Sequence, residues 1–179
     1  MKRMKQVRRL VEKDFRSRDT VGLARSLLGK CLLVRRGGEA IAQAITEVEA
    51  YDGPEDLACH ASKGRTARTE VLFGPPGHWY VYLCYGVHEL LNVVTGPPEY
   101  PAAILIRGLE SVNGPGRLTR RMKIDRRFNG EVASPETGLW LEDRGLSYAD
   151  TEIRATPRIG VDYAGEDWAN RPYRFLVDR

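Results

Sequence analysis

The chain has 179 residues, 42% hydrophobic and 29% charged, with a formal net charge of +4. Those proportions fit one globular domain large enough to bury its own core, and they exclude a disordered or fibrous chain. The positive balance points to an anionic partner. The longest uncharged run, Val71 to His88, contains Gly74-Pro75-Pro76-Gly77 and several tyrosines, which excludes a membrane helix there.

The charge is uneven along the chain. Lys2, Arg3, Lys5, Arg8 and Arg9 precede the first acid, so residues 1–18 read as a basic amino-terminal arm ahead of a domain over 19–179. Arg117, Arg120, Arg121, Lys123, Arg126 and Arg127 form a second basic set, broken only by Asp125. Two such clusters in one small domain make nucleic acid a candidate partner, against the plainer reading of solvated faces. The arm lacks the apolar stretch of a signal peptide. The three cysteines, Cys31, Cys59 and Cys84, are too widely spaced for a Cys-x-x-Cys metal site and odd in number, which fits a reducing cytoplasm.

Taken in order, Asp19-Thr20 is an N-cap signal, followed by Leu23, Ala24, Leu27 and Leu28 at helical spacing and by Gly29 as a stop. Cys31 to Val34 and Ile41 to Tyr51 read as strands around an Arg36-Gly37-Gly38 turn, a hairpin that presents Glu49 at its far end. Glu47, Glu49 and Tyr51 then share one face. Ile45 and Val48 do not alternate cleanly with them, and a solvated acidic edge strand is the plain alternative. Gly53-Pro54 breaks the strand. Lys63 to Thr69 is a small, basic loop suited to phosphate contacts through Arg65 and Arg68.

Trp79 to Cys84 and Glu89 to Val94 flank Tyr85-Gly86-Val87-His88 and predict a hairpin with an aromatic tip, in which Tyr80 and Tyr82 share a face and Tyr85 projects beyond the sheet. Ala102 to Leu109 is an apolar strand interrupted by Arg107, a charge for which Glu49 is a natural partner. Asn113-Gly114-Pro115-Gly116 opens a helix carrying Arg117 and Arg120. Trp140 to Glu142, Arg158 to Val161 and Tyr173 to Val177 read as short closing strands.

The chain contains no phosphate-binding or dinucleotide glycine motif, no Gly-x-Ser-x-Gly and no His-Glu-x-x-His. Acids, tyrosines, a histidine and basic patches remain. That set suits chemistry on a nucleobase: aromatics stack the base, a polar group reads its edge, a carboxylate activates water and cations hold the backbone.

The sequence resembles the alkyladenine (3-methyladenine) DNA glycosylases. The matching stretches are Glu-Val-Glu-Ala-Tyr-Asp-Gly-Pro-Glu-Asp-x-Ala-x-His at 47–60, Pro-Gly-x-x-Tyr-Val-Tyr-x-x-Tyr-Gly at 76–86 with Asn92, Ile-Leu-Ile-Arg at 104–107, Gly-Pro-Gly-x-Leu at 114–118, and Arg-Ile-Gly-Val with Arg-Pro-Tyr-Arg-Phe-Leu-Val within 158–177. The resemblance implies a mixed α/β (α+β) domain around a curved antiparallel sheet with a protruding β-hairpin. It assigns Glu49 as general base, with Arg107 and the main-chain carbonyl of Ile159 positioning the attacking water. Tyr51 and Tyr82 would sandwich a flipped base, His60 and the backbone around Ala58 would meet its edge, and Asn92 would stand where a guanine amino group clashes. Tyr85, with Val87 beside it, would fill the gap left in the duplex.

The implied activity is monofunctional: excision of alkylated or deaminated purines from double-stranded DNA, starting base excision repair, with no metal or cofactor. A monomer in the cytoplasm, nucleoid-associated in a bacterium, is expected. The competing reading is a metal-dependent nuclease or phosphoesterase built on Glu47, Glu49, Asp52, Glu55 and Asp56; a binding module that turns nothing over is a third. Lys63 is the candidate amine for any lyase step.

Overall fold

The structure, a computed structural model, describes residues 7–178. Its strands are β1 (Arg8–Arg9), β2 (Cys31–Arg36), β3 (Glu39–Tyr51), β4 (Trp79–Cys84), β5 (His88–Thr95), β6 (Ala102–Leu109), β7 (Val112–Asn113), β8 (Leu139–Asp143), β9 (Ile153–Thr156) and β10 (Arg174–Val177). The helices are α1 (Thr20–Ser26), α2 (Pro115–Met122) and α3 (Glu166–Asn170), too short to cross a membrane. All ten strands join one antiparallel sheet in the order β1-β8-β2-β3-β6-β5-β4, with β10 pairing β3 and β9, and β7 pairing β6. This is the mixed α/β domain expected.

The long strand β3 organises the sheet. Its first half pairs with β2 through the Arg36-Gly37-Gly38 turn, and its second half lies between β6 and β10. It is therefore a central strand, and the reading of 47–51 as a solvated edge fails. The broken alternation has a local cause: the register with β6 shifts on either side of Glu47, the mark of a β-bulge. Beyond it Val48 and Ala50 enter the core, while Glu47, Glu49 and Tyr51 share the opposite face.

The core packs α1 and α2 against the sheet through Leu27, Leu118 and Met122 on one side and Ile45, Val48, Trp79, Leu91, Ile104 and Ile106 on the other. Asp19 caps α1 by accepting from the Gly22 amide at 2.9 Å. Burying twenty or so such side chains at about 1.5–3 kcal/mol each is what stabilises the domain against chain entropy.

Two expectations change. Leu10 and Phe15, assigned to the amino-terminal arm, are 4% and 1% exposed and belong to this core, and β1 pairs with β8; the first six residues of that arm lie outside the described residues. Arg158 to Val161 is a bend, and the strand is Ile153–Thr156 before it. Pro157 has no N–H to give a ladder and Gly160 takes φ +74°, so the chain turns where its apolar residues suggested a strand.

Candidate active site

Glu49 has no exposed surface. Strand pairing places it beside Leu105 of β6 and Arg174 of β10. Oε2 accepts from the Tyr51 hydroxyl at 2.8 Å, and Oε1 accepts from the Ile159 main-chain amide at 2.8 Å, with the Arg107 Nε 3.6 Å away. Burial pushes the carboxyl above the ordinary value, while Arg107, the Ile159 N–H, the Tyr51 hydroxyl and Arg158 act to lower it. The result is a carboxylate more basic than one in water, held by a donor on each oxygen.

Glu47 differs although it lies two residues away. Its Oε1 accepts from Arg107 Nε at 2.9 Å and from Arg174 Nε at 2.6 Å. Arg107 therefore pairs first with Glu47 and only second with Glu49, a correction to the expected partner. Two guanidinium groups thus hold one oxygen of this carboxylate.

A groove of about 870 Å³ runs past these groups, lined by Tyr51, His60, Tyr82, Arg107, Ile159 and Tyr85 among others. Glu49 itself is not among the lining residues; its hydrogen-bond partners Tyr51 and Ile159 and the nearby Arg107 stand between it and the groove. At the inner end a narrow slot is lined by Ala58, His60, Tyr80, Tyr82 and Asn92, so the structure brings together every residue expected to hold a base. The His60 and Tyr82 rings meet edge to face with centroids 4.6 Å apart, and His60 Nδ1 is 2.9 Å from the Tyr80 hydroxyl. Burial, with Arg68 and Lys63 near, lowers the His60 pKa to about 4, so its ring is neutral at physiological pH. Asn92 is buried and donates to the Tyr80 carbonyl at 3.2 Å.

The hairpin β4–β5 ends in a turn closed by the Val87 amide donating to the Cys84 carbonyl at 3.1 Å. Tyr85 sits there at φ +51° and is 89% exposed, with Val87 65% exposed beside it. A tyrosine held in the left-handed region with its ring in solvent is costly for folding alone.

The candidate cations separate. Arg68 lies over the Tyr82 ring at 5.1 Å, and Arg117 lines the groove at the start of α2, with Arg120 exposed on the same helix. Arg65 is committed elsewhere: it bonds Glu70 at 2.7 and 2.8 Å and Glu99 at 2.8 Å, and covers Phe73.

Several contacts had no signal in the sequence. Arg174 reaches Glu47 across 127 positions, Arg158 reaches Asp56 across 102, and Tyr163 donates to the Ala58 carbonyl at 2.8 Å. Ile159 contacts Glu49 through its amide, a contact additional to the role toward the water expected of its carbonyl. The acids proposed as a metal site do not converge, since Glu47 is held by Arg107 and Arg174 and Asp56 by Arg158.

A buried carboxylate thus lies behind an aromatic groove, with an exposed aromatic side chain at the hairpin tip beside it and no competing nucleophile motif in the sequence. The family described as methylpurine-DNA glycosylase matches the chain over residues 14–114 and 109–179. A protein of Methanocella arvoryzae named "Putative 3-methyladenine DNA glycosylase" is 45% identical over 93% of this chain and 91% of its own length. Proteins with the same name from Anaeromyxobacter sp. and Legionella pneumophila (strain Corby) are 43% and 44% identical over 93% and 94% of this chain and 88% and 94% of theirs. The chain belongs to the methylpurine-DNA glycosylase family, enzymes that hydrolyse N-glycosyl bonds in DNA.

Proposed function

We propose that this protein flips alkylated purines, 3-methyladenine foremost, out of duplex DNA and hydrolyses their N-glycosyl bond with a water that Glu49 deprotonates. The observation that carries this reading is the environment of Glu49: buried, raised in pKa, and ordered by one hydrogen bond to each oxygen. In the reaction the bond from sugar C1′ to the base nitrogen breaks, the bonding pair leaves with the base, and the sugar gains oxocarbenium character. The ionised Glu49 stabilises that cation, the water oxygen bonds to C1′, and the proton it loses passes to Glu49. A cationic alkylated base needs no further proton to leave.

Tyr51, His60 and Tyr82 receive the base, Ala58 and Asn92 close the slot beyond it, and Asn92 rejects a guanine amino group. Tyr85 and Val87 enter the duplex in the base's place and offset the few kcal/mol lost in unstacking. Arg68, Arg117 and Arg120 meet phosphates, and the protein works as a monomer. Hypoxanthine and ethenoadenine are weaker substrates, because as neutral leaving groups they require a proton that no side chain of the slot is charged to give.

The test is a panel of duplexes, each with one modified purine, assayed for abasic product. Glu49→Gln should abolish excision and retain affinity for damaged duplex. Glu47→Gln should remain active. An inert Glu47→Gln beside an active Glu49→Gln would reverse the assignment. Activity should survive excess EDTA, and borohydride should trap no protein–DNA adduct through Lys63, because the nucleophile is water.

A further inference from the structure

Behind the site lies an ion pair that the chemistry above does not use. The side chains of Arg158 and Asp56 have no exposed surface. Arg158 Nη1 donates to Asp56 Oδ2 and, at 2.9 Å, to the Ala50 carbonyl; Nη2 donates to Asp56 Oδ1 at 2.9 Å and to the Trp168 carbonyl at 3.2 Å. Asp56 also accepts from the amides of Asp52 at 2.9 Å and Ala58 at 3.0 Å. The guanidinium packs over the rings of Tyr51 and Tyr173 at 4.9 and 5.2 Å. One pair thus ties together the end of β3, the loop to Ala58, the bend at Ile159 and α3.

A buried ion pair contributes little net stability, because desolvation of both charges offsets their attraction. What this one fixes is more informative. Ile159, the next residue after Arg158, gives its amide to Glu49 Oε1, and Tyr51, whose ring lies against Arg158, gives its hydroxyl to Oε2. Those two donors set the plane of the carboxylate.

We propose that Arg158 and Asp56 are positioning residues for Glu49, acting through the Ile159 amide and the Tyr51 hydroxyl, and that neither touches the substrate. The inference rests on Glu49 being the base. It locates the effect in the chemical step, since small misplacements of a reacting group cost rate more than affinity.

Asp56→Asn keeps the size and removes the charge, while Arg158→Lys keeps the charge and cannot make the planar two-pronged contact. Both should bind damaged duplex as the wild type does and excise about 10- to 100-fold more slowly in single turnover. In Arg158→Lys, which keeps the positive charge, the acid limb of the rate profile should move to higher pH, because Glu49 loses donors that favour its charged form. A wild-type rate with an unmoved limb in either folded variant overturns the proposal. Full excision by Glu49→Gln alone instead removes the base assignment on which the proposal rests, so the two failures are distinguishable. If both variants fail to fold, the wild-type chain decides: in NMR the Ile159 amide should exchange slowly and shift as Glu49 titrates. An amide that exchanges freely and ignores pH overturns it.

Discussion

At the scale of single residues, burial drives two groups of the site in opposite directions. The carboxyl of Glu49 is raised and the imidazole of His60 is lowered, each toward its neutral form, because the interior penalises charge of either sign. For Glu49 the consequence is kinetic: excision should rise with pH as the carboxyl ionises, with a midpoint above that of an ordinary carboxyl. Tyr51→Phe removes a hydrogen bond to the charged form, so the acid limb should move to higher pH and the rate at pH 6 should fall, as a stopped assay across pH would measure. For His60 the consequence is thermodynamic. Between its usual value of 6.5 and about 4 the unfolded chain takes up a proton that the folded ring refuses, so stability falls as pH drops through that window. His60→Gln should flatten that part of a melting-temperature profile. The assignments of Glu49, Tyr51 and His60 rested on the resemblance over residues 47–60, one run in which all three occur, and so they were made together. The different partners of Glu47 and Glu49 were not legible from the strand pattern, because the guanidinium groups that hold Glu47 come from β6 and β10.

At the scale of elements, the β4–β5 hairpin and helix α2 face the groove with different chemistry. The hairpin tip contributes almost nothing to packing, since Tyr85 and Val87 are largely exposed. Tyr85→Ala should therefore leave the unfolding free energy within about 0.5 kcal/mol of wild type while lowering excision from duplex far more than from single strands. Helix α2 buries Leu118 and Met122 and exposes Arg117 and Arg120. Replacing both arginines with alanine should reduce the slope of log affinity against log salt by about 0.9 per lost phosphate contact. Arg65→Ala should leave that slope unchanged, because Glu70 and Glu99 already hold its guanidinium. Both hairpins were readable from their turns and α1 and α2 from a cap and glycines, signals that are local, whereas α3 was not foreseen. The bend at Arg158 was misread as a strand because its apolar residues cover the site and do not form a ladder.

At the scale of the whole molecule, the chain closes on itself early. Phe15 is 1% exposed, and its carbonyl accepts from the Gly96 amide at 2.8 Å at the end of β5. Phe15→Ala should cost about 3–5 kcal/mol, and a deletion through residue 18 should fail to fold, as denaturant melts would measure. Charge gave no warning of this, since the arginines flanking Leu10 and Phe15 conceal two core residues in a run that reads as a basic arm.

Strand β3 has one consequence for how selectivity must arise. Glu49 is clamped by ladders on both sides, so it belongs to the part of the molecule least able to yield to a ligand. On the proposed mechanism a damaged purine must come to this fixed carboxylate, and discrimination is exercised largely before chemistry, in how readily a nucleotide leaves its stack and how long it dwells in the slot.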